Sequence, residues 1–485
     1  MPRLRSLAGG GPARVAHRRA LSRFLGVSRP RVVIIGGGFA GIAAARVLKR
    51  APVEVTLVDR TNHHVFQPLL YQVASAALDS SDIAVPIRWL LRRAANTTVL
   101  LGDVTGIDLE RRSVTLRNGN VLPYDYLITA AGSHHAYFGH DEWEPCAPGL
   151  KTIPDAFEIR NRFLLAFERA ECCTDPATRQ EELTIVIVGG GPTGVELAGV
   201  MAAITRKAIR RDFRRIDTAQ ARIILLEGGP RLLPAFRERL SAQALRDLQN
   251  LGVDVRLNAM VTKIEPNAVW VGDERIATRT IFWAAGNRAA GISSSLGVER
   301  DRGGFVRVNP DLSLPGHPEV FVVGDQAAPP HDPQKPIPRV AQAAMQMGRR
   351  AARNILQDIR RQPRRAFRYQ THGELAVIGR YRAVAQFPWV SFTGFFAWLL
   401  WLFVHILYLA GFRNRLSVLV EWGYEFVTWQ RGVRLILRPT SREPAADARQ
   451  IERRAASVPG DGAPRAEPEP VMARQWAPAS DETQR

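Results

Sequence analysis

The chain has 485 residues, 46% of them apolar, a size and composition that exclude wholesale disorder and allow three domains with sizeable cores. Lys and Arg number 66 against 46 Asp and Glu, and the resulting net charge of +20 points to an anionic membrane surface, a nucleic acid or an anionic ligand. Three cysteines, Cys146, Cys172 and Cys173, exclude a disulfide framework and form no CxxC pair.

Residues 1–29 are arginine-rich, lack Asp and Glu and contain a Gly-Gly-Gly run, which predicts a flexible basic arm without the apolar stretch of a secretory signal. A transit peptide has a similar composition, so a mitochondrial address is the alternative. At Arg31 the character changes. RVVIIGGGFAGIAAARVLKR reads as a β-branched strand, a glycine turn and an Ala-rich helix, with EVTLVDR as the next strand. This βαβ unit carries a GxGxxG pattern: Gly36 for the tight turn, Gly38 for approach of backbone N–H groups to a pyrophosphate, Gly41 for helix–strand packing. Asp59 ends the second strand 23 residues after Gly36, near the roughly 20 expected for a carboxylate that accepts from ribose hydroxyls.

The unit recurs at residues 184–204, TIVIVGGGPTGVELAGVMAAI, with Gly189, Gly191 and Gly194, and ARIILLE follows as its second strand. Glu227 ends that strand 38 residues after Gly189, a spacing accommodated by a long helix and the basic turn RKAIRRDFRR. A carboxylate there hydrogen-bonds a 2′-hydroxyl and repels a 2′-phosphate, which favours NADH over NADPH. Two cradles in one chain suit a resident flavin and a visiting nicotinamide. The expected fold class is α/β, with two Rossmann-type dinucleotide-binding domains: residues 30–150 and 287–385 for FAD, residues 151–286 for NADH. TAAGS at Gly132, WAAGN at Gly286 and VFVVGDQA at Asp325 each close an apolar run and should face the ligands.

A helix beginning near Pro338 sets Gln342 and Gln346 at i, i+4 on one face, where their amides flank a flat carbonyl ligand or simply meet solvent. Its N-terminus carries partial positive charge suited to a reduced ring. Glu196, two residues after the last glycine, is by position an acid that complements the helix dipole. His63 and His64 are adjacent on an extended segment and point to opposite faces, with no Cys or acid cluster to complete a ligand set, so no metal is expected.

Residues 394–412 are 19 residues without a charge, roughly 28 Å of helix against a hydrocarbon core of about 30 Å. Beyond them Asn414, Ser417, Glu421, Glu425, Thr428 and Arg431 recur every three or four residues, opposite Leu416, Leu419, Val420 and Val427, a pattern suited to lying in the membrane interface. Trp398, Trp401, Tyr408, Trp422, Tyr424 and Trp429, beside Arg413, Arg415, Arg431, Arg434 and Arg438, are expected at anionic headgroups. Residues 386–438 are therefore read as monotopic membrane-anchoring helices, with a buried pair or a homodimer contact as the alternative. Residues 439–485 predict a disordered tail.

Over residues 31–385 the two fingerprints, TAAGS, WAAGN and VFVVGDQA resemble the two-dinucleotide-binding-domain flavoproteins, the glutathione-reductase-like superfamily. The resemblance implies FAD and NADH as cofactors, Asp325 on the ribityl chain, Gly132, Ala341 and Gln342 beside FAD, and Gly286 beside NADH. Thr-Ala-Ala-Gly in place of Ala-Thr-Gly is a mild departure. HHVFQPLLYQVASAAL (63–78) and RVAQAAMQMGR (339–349) resemble, more narrowly, the type II NADH:quinone dehydrogenases of bacterial respiratory membranes. That resemblance implies that Gln342 and Gln346 border a quinone pocket, that Glu196 lies near nicotinamide and flavin, and that the C-terminal helices dock on lipid. The implied reaction passes two electrons from NADH through FAD to a membrane quinone, ubiquinone or menaquinone, without proton pumping. The implied place is the cytoplasmic face of a bacterial inner membrane, with the mitochondrial inner membrane as alternative.

Rival readings lack residues. A disulfide reductase needs a redox Cys pair near residues 63–78, and a sulfide:quinone oxidoreductase needs cysteines in both halves of the chain. A soluble ferredoxin-type reductase leaves residues 394–412 without a purpose. A flavin-holding NADH sensor that recruits nucleic acid is the non-enzyme alternative, but no base-stacking motif or recognition helix stands out, so no nucleic-acid partner is expected.

Overall fold

Strands whose residues are apolar on both faces need cover on both faces, as in a parallel sheet with helices above and below. Two such sheets form. A computed structural model describes residues 29–330, 337–428 and 434–437; the expected arm, apart from Arg29, and tail lie outside the described residues, as do Trp429, Arg431 and Arg438. The first sheet runs Ser313–Leu314, His317–Val322, Tyr126–Thr129, Arg31–Ile35, Glu54–Asp59, Thr97–Leu101, parallel except at Ser313–Leu314. The second runs Val253–Arg256, Arg222–Leu226, Thr184–Val188, Thr280–Trp283, parallel throughout. In each, the strand that opens the fingerprint lies inside the sheet with later strands on both sides, and the crevice at its C-terminal end is where such sheets take ligands.

A two-stranded antiparallel ribbon joins the two halves, pairing Ser133–His135 with Asn287–Ala289. These are the residues directly after Gly132 and Gly286, so the two expected crossing segments meet each other. A third sheet, Glu374–Gly379, Arg382–Gln386 and Ser391–Thr393, packs on the second fingerprint helix, Pro192–Ala203. The contact is backbone to helix: a Cβ on Gly199 would stand 1.8 Å from the Ile378 carbonyl oxygen.

The C-terminal helices depart from expectation in three ways. The apolar run makes a helix only over Gly394–Tyr408, 15 residues or roughly 22 Å, because Leu409 turns extended and Gly411 adopts φ +93°. Arg415 donates to the Leu407 and Leu409 carbonyls across that turn. Among the described residues, no helix is long and apolar enough to cross a membrane. Second, the next helix, Phe412–Thr428, turns its polar row inward. Asn414 donates to the Ser81 and Asp82 carbonyls, Ser417 to the Asp82 carboxylate, and Trp422 to the Gln72 amide oxygen. Leu416, Leu419, Val420 and Val427 face outward, Val427 at 78% exposure, alongside Phe396 (72%), Leu399, Phe403 and Leu407 of the preceding helix. Third, Trp401 is only 2% exposed and Trp422 is turned inward, so these two tryptophans fasten the helices to the body instead of reaching outward. Arg434 is likewise drawn inward, to the Asp212 carboxylate.

Candidate functional site

The two glycine fingerprints fold into the same object. Gly36 and Gly189 sit at φ +102° and +110°, and their N–H groups donate to Val58 and Leu226 at 2.8 Å. Added Cβ atoms there would collide with the Ala130 and Ala284 backbones. Gly41 and Gly194 would each bring a Cβ to 1.8 Å from the carbonyl oxygen of the turn glycine. Gly38 and Gly191, at the helix N-caps, have nothing within 4 Å of an added Cβ and no side-chain cap, so both helix N-termini open onto free space. That is what a pyrophosphate requires.

The acids complete each cradle in one pattern. One Asp59 oxygen accepts from Gly37 N at 2.5 Å and the other from Thr61 N at 2.6 Å; one Glu227 oxygen accepts from Gly190 N at 2.5 Å and the other from Gly229 N at 2.6 Å. A carboxylate has about four acceptor positions, so each keeps capacity for ribose hydroxyls. The extra residues before Glu227 lie in a π-helical turn, Ile204–Ala208, and the loop after it, and the acid still reaches the same station.

Several residues that sequence reasoning passed over tie the first cradle to its surroundings. Gln326 accepts from Ala131 N at 2.8 Å and donates to Thr129 Oγ1 at 2.5 Å, locking TAAGS to the segment holding Asp325. Asp325 accepts from Ser133 Oγ at 3.2 Å, which in turn accepts from Lys151 Nζ at 3.1 Å. The only sequence signal for Gln326 was its place just after an apolar strand, and Lys151 carried none. Gly132, at φ +74°, has open space around it, whereas Gly286, at φ +73°, lies under the Phe138 ring, 2.4 Å from an added Cβ.

The glutamine helix starts at Ala341 with Val340 as N-cap, three residues later than expected. Asp325, Arg339, Ala343 and Ala344 line one small cavity of about 50 Å³, so the start of this helix and Asp325 share a site. Gln342 donates to Gly373 O and accepts from His372 N, both at 2.9 Å; Gln346 donates to Gln370 O at 2.7 Å and accepts from Gln370 N at 3.0 Å. Each amide thus mimics a peptide group and holds the extended residues 370–373 against the helix.

Glu196 lies beyond the first turn of its helix, which begins at Pro192, so the helix-dipole explanation loses its geometry. Part of its surface is open, yet the surrounding protein mass pushes its carboxyl well above the ordinary carboxylate range, against a hydrogen bond from the Val377 backbone. His64 is buried, its Nδ1 3.0 Å from Gly37 O, and burial lowers its pKa; His63 instead bonds Asn62. From Phe39, at the start of the first fingerprint helix, rings run to Phe66 (6.0 Å), His405 (6.1 Å) and Trp401 (4.1 Å) in the outward-facing helix. Burial pushes His405 down to about 4, with its Nδ1 2.7 Å from Trp401 O.

This fold and these twin cradles define a class: residues 30–348 match the pyridine nucleotide-disulphide oxidoreductase family, and residues 372–428 match the NDH2 C-terminal domain. The chain is 45% identical, over 83% of its length and 88% of the relative's, to the type II NADH:quinone oxidoreductase NdhA of Mycobacterium tuberculosis, and 31% identical, over 73% and 86%, to the type II NADH:quinone oxidoreductase of Haemophilus influenzae. It belongs to the type II NADH:quinone oxidoreductase family. The solved NDH2 from Plasmodium falciparum in complex with NADH shares the fold at TM-score 0.75 and 21% identity, covering 85% of this chain and all of that one.

Proposed function

We propose that this chain oxidises NADH and passes the two electrons through bound FAD to a membrane quinone. The observation that carries the reading is the duplicated clamp, Gly37–Asp59 and Gly190–Glu227, each beneath an uncapped helix N-terminus. Relatives of this chain bear the names of NADH:quinone oxidoreductases, and the sulfide:quinone alternative lacks its cysteines.

Gly36, Gly38, Gly41 and Asp59 hold the adenine dinucleotide of FAD, with Gly132, Asp325, Ala341 and Gln342 along the remainder; Gly189, Gly191, Gly194, Glu227 and Gly286 hold NADH. FAD, when bound, supplies the acceptor for the hydride and the donor for the quinone. Glu227 orients NADH by its ribose and disfavours a 2′-phosphate. Glu196, whose carboxyl is held above the ordinary carboxylate range by the surrounding protein, serves the nicotinamide side. Gln342 and Gln346 keep residues 370–373 in place as a wall of the quinone pocket. The outward apolar rows of the last two helices, flanked by exposed Arg413, rest in an anionic membrane surface, and a second copy of the chain competes for the same face. The same basic character directs docking to the anionic cytoplasmic leaflet of a bacterial inner membrane.

The test is the absorption spectrum of the purified full-length protein. A flavin band that NADH bleaches and a soluble quinone restores is expected; colourless protein that stays so with added FAD overturns the reading.

A further inference from the structure

We infer that Lys151 is a positioning residue for the bound flavin, fixed so that its ammonium, handed through Ser133 to Asp325, makes the site favour the reduced, more negatively charged form. The inference rests on the reading that FAD occupies the first cradle.

Lys151 is held at both ends. Its backbone N–H donates to the Asp155 carboxylate at 3.0 Å, within a capping box that Thr152 and Asp155 form at the start of Ile153–Cys172. Its carbonyl accepts from Gln67 Nε2 at 3.0 Å. Its Nζ donates to Ser133 Oγ, whose hydroxyl hydrogen is thereby directed to Asp325. A long flexible side chain has thus been given one geometry, and its rotamer entropy has been spent in advance.

A half-buried ammonium still loses hydration that an anion must offset. Asp325 does so in part, while burial and the like charge of Arg339 oppose it, and the Lys151 pKa is lowered on balance. Arg339 stands 4.0 Å from Asp301 and lines the same small cavity as Asp325 and the first turn of the glutamine helix. Among the described residues, Lys151, Arg339 and a helix N-terminus thus act around Asp325 and Asp301, whose two negative charges the two cations match, with the helix N-terminus adding a partial positive charge. A further negative charge in that space would be stabilised by Lys151, Arg339 and the helix N-terminus together, and bound flavin would carry such a charge in its reduced form.

The experiment measures the two-electron midpoint potential of the FAD in the purified holoprotein. Lys151→Met is expected to weaken the preference for reduced over oxidised flavin about tenfold, a midpoint shift of about 30 mV to more negative potential. Lys151→Arg, which keeps the charge, is expected to stay close to the parent value, a rescue that a purely structural role does not produce. If the Met variant cannot be purified with flavin, Lys151→Gln carries the same expectation. An unchanged potential in Met or Gln, or an equal shift in Arg, overturns the inference. Parent protein without flavin refutes the cofactor reading itself, whereas flavinated, NADH-reducible variants of unchanged potential refute only the role of Lys151.

Discussion

The two cradles share a backbone and differ in what leans on it. Against the first fingerprint helix, Phe39–Leu48, packs the glutamine helix, so closely that a Cβ on Gly348 would stand 2.1 Å from Ala40 O. Against the second fingerprint helix packs the strand Glu374–Gly379, which brings Val377 to Glu196. The clamp is local, made by residues within one βαβ unit, and is therefore repeated intact. The covering is tertiary: a helix leans on the first cradle, and a strand brings to the second a half-buried acid whose carboxyl is held above its ordinary range.

The strongest way to break the comparison is to fill each third glycine. Gly41→Ala places a Cβ against a backbone carbonyl that cannot move without dissolving the turn, an overpacking cost of about 1–3 kcal/mol or more. It is expected to yield protein without flavin absorbance. Gly194→Ala should keep the flavin spectrum and lose its bleaching by NADH; loss of flavin there too would show that the cradles are not independent. Removing the acids has the next effect. Asp59→Asn and Glu227→Gln each weaken charge-assisted bonds to two backbone N–H groups, about 1.5–3 kcal/mol apiece. FAD retention on dilution should fall in the first, and KM for NADH should rise in the second with kcat little changed.

Glu196 sharpens the asymmetry through pH. Because its folded pKa is raised, the folded protein holds this proton to higher pH than the unfolded chain does. The stability it contributes is present at low pH and is lost as pH rises from the unfolded carboxylate range through the raised value. Glu196→Gln should therefore raise the melting temperature at neutral pH relative to the parent and lose that advantage near pH 4, as thermal unfolding at the two pH values would read. The smallest effect on the folded state belongs to the outward rows. Val420→Ser with Phe396→Ser should change stability by no more than about 0.5 kcal/mol while lowering cosedimentation with anionic vesicles.

Much of the first cradle was legible because its parts lie close in sequence: strand, glycines, helix and acid span residues 31 to 59. Even the unusual interval before Glu227 was absorbed by a loop. The C-terminal helices were legible as amphipathic but not as to how they sit. Asn414 and Ser417 read as a solvent face until their partners, carbonyls and a carboxylate at residues 81–82, were brought beneath them. Trp401 read as an interfacial aromatic because the rings of Tyr71 and Trp422 that help enclose it come from other parts of the chain. The same blindness affected Gln342 and Gln346, whose amides meet the segment 370–373, 24 to 31 residues downstream.

By itself the amino-acid sequence determined the two dinucleotide cradles, since the requirements of a tight turn, a close approach and a strand-end carboxylate are met by residue type at short range. The tertiary structure alone decided the raised carboxyl of Glu196, the inward turn of Asn414 and Ser417 on the last helix, the lock of Gln326 on Thr129 and the link of Lys151 through Ser133 to Asp325. Each of these joins groups far apart in the chain, and desolvation and hydrogen-bond partners are set by what surrounds a side chain in space, a quantity that no periodicity along the chain encodes.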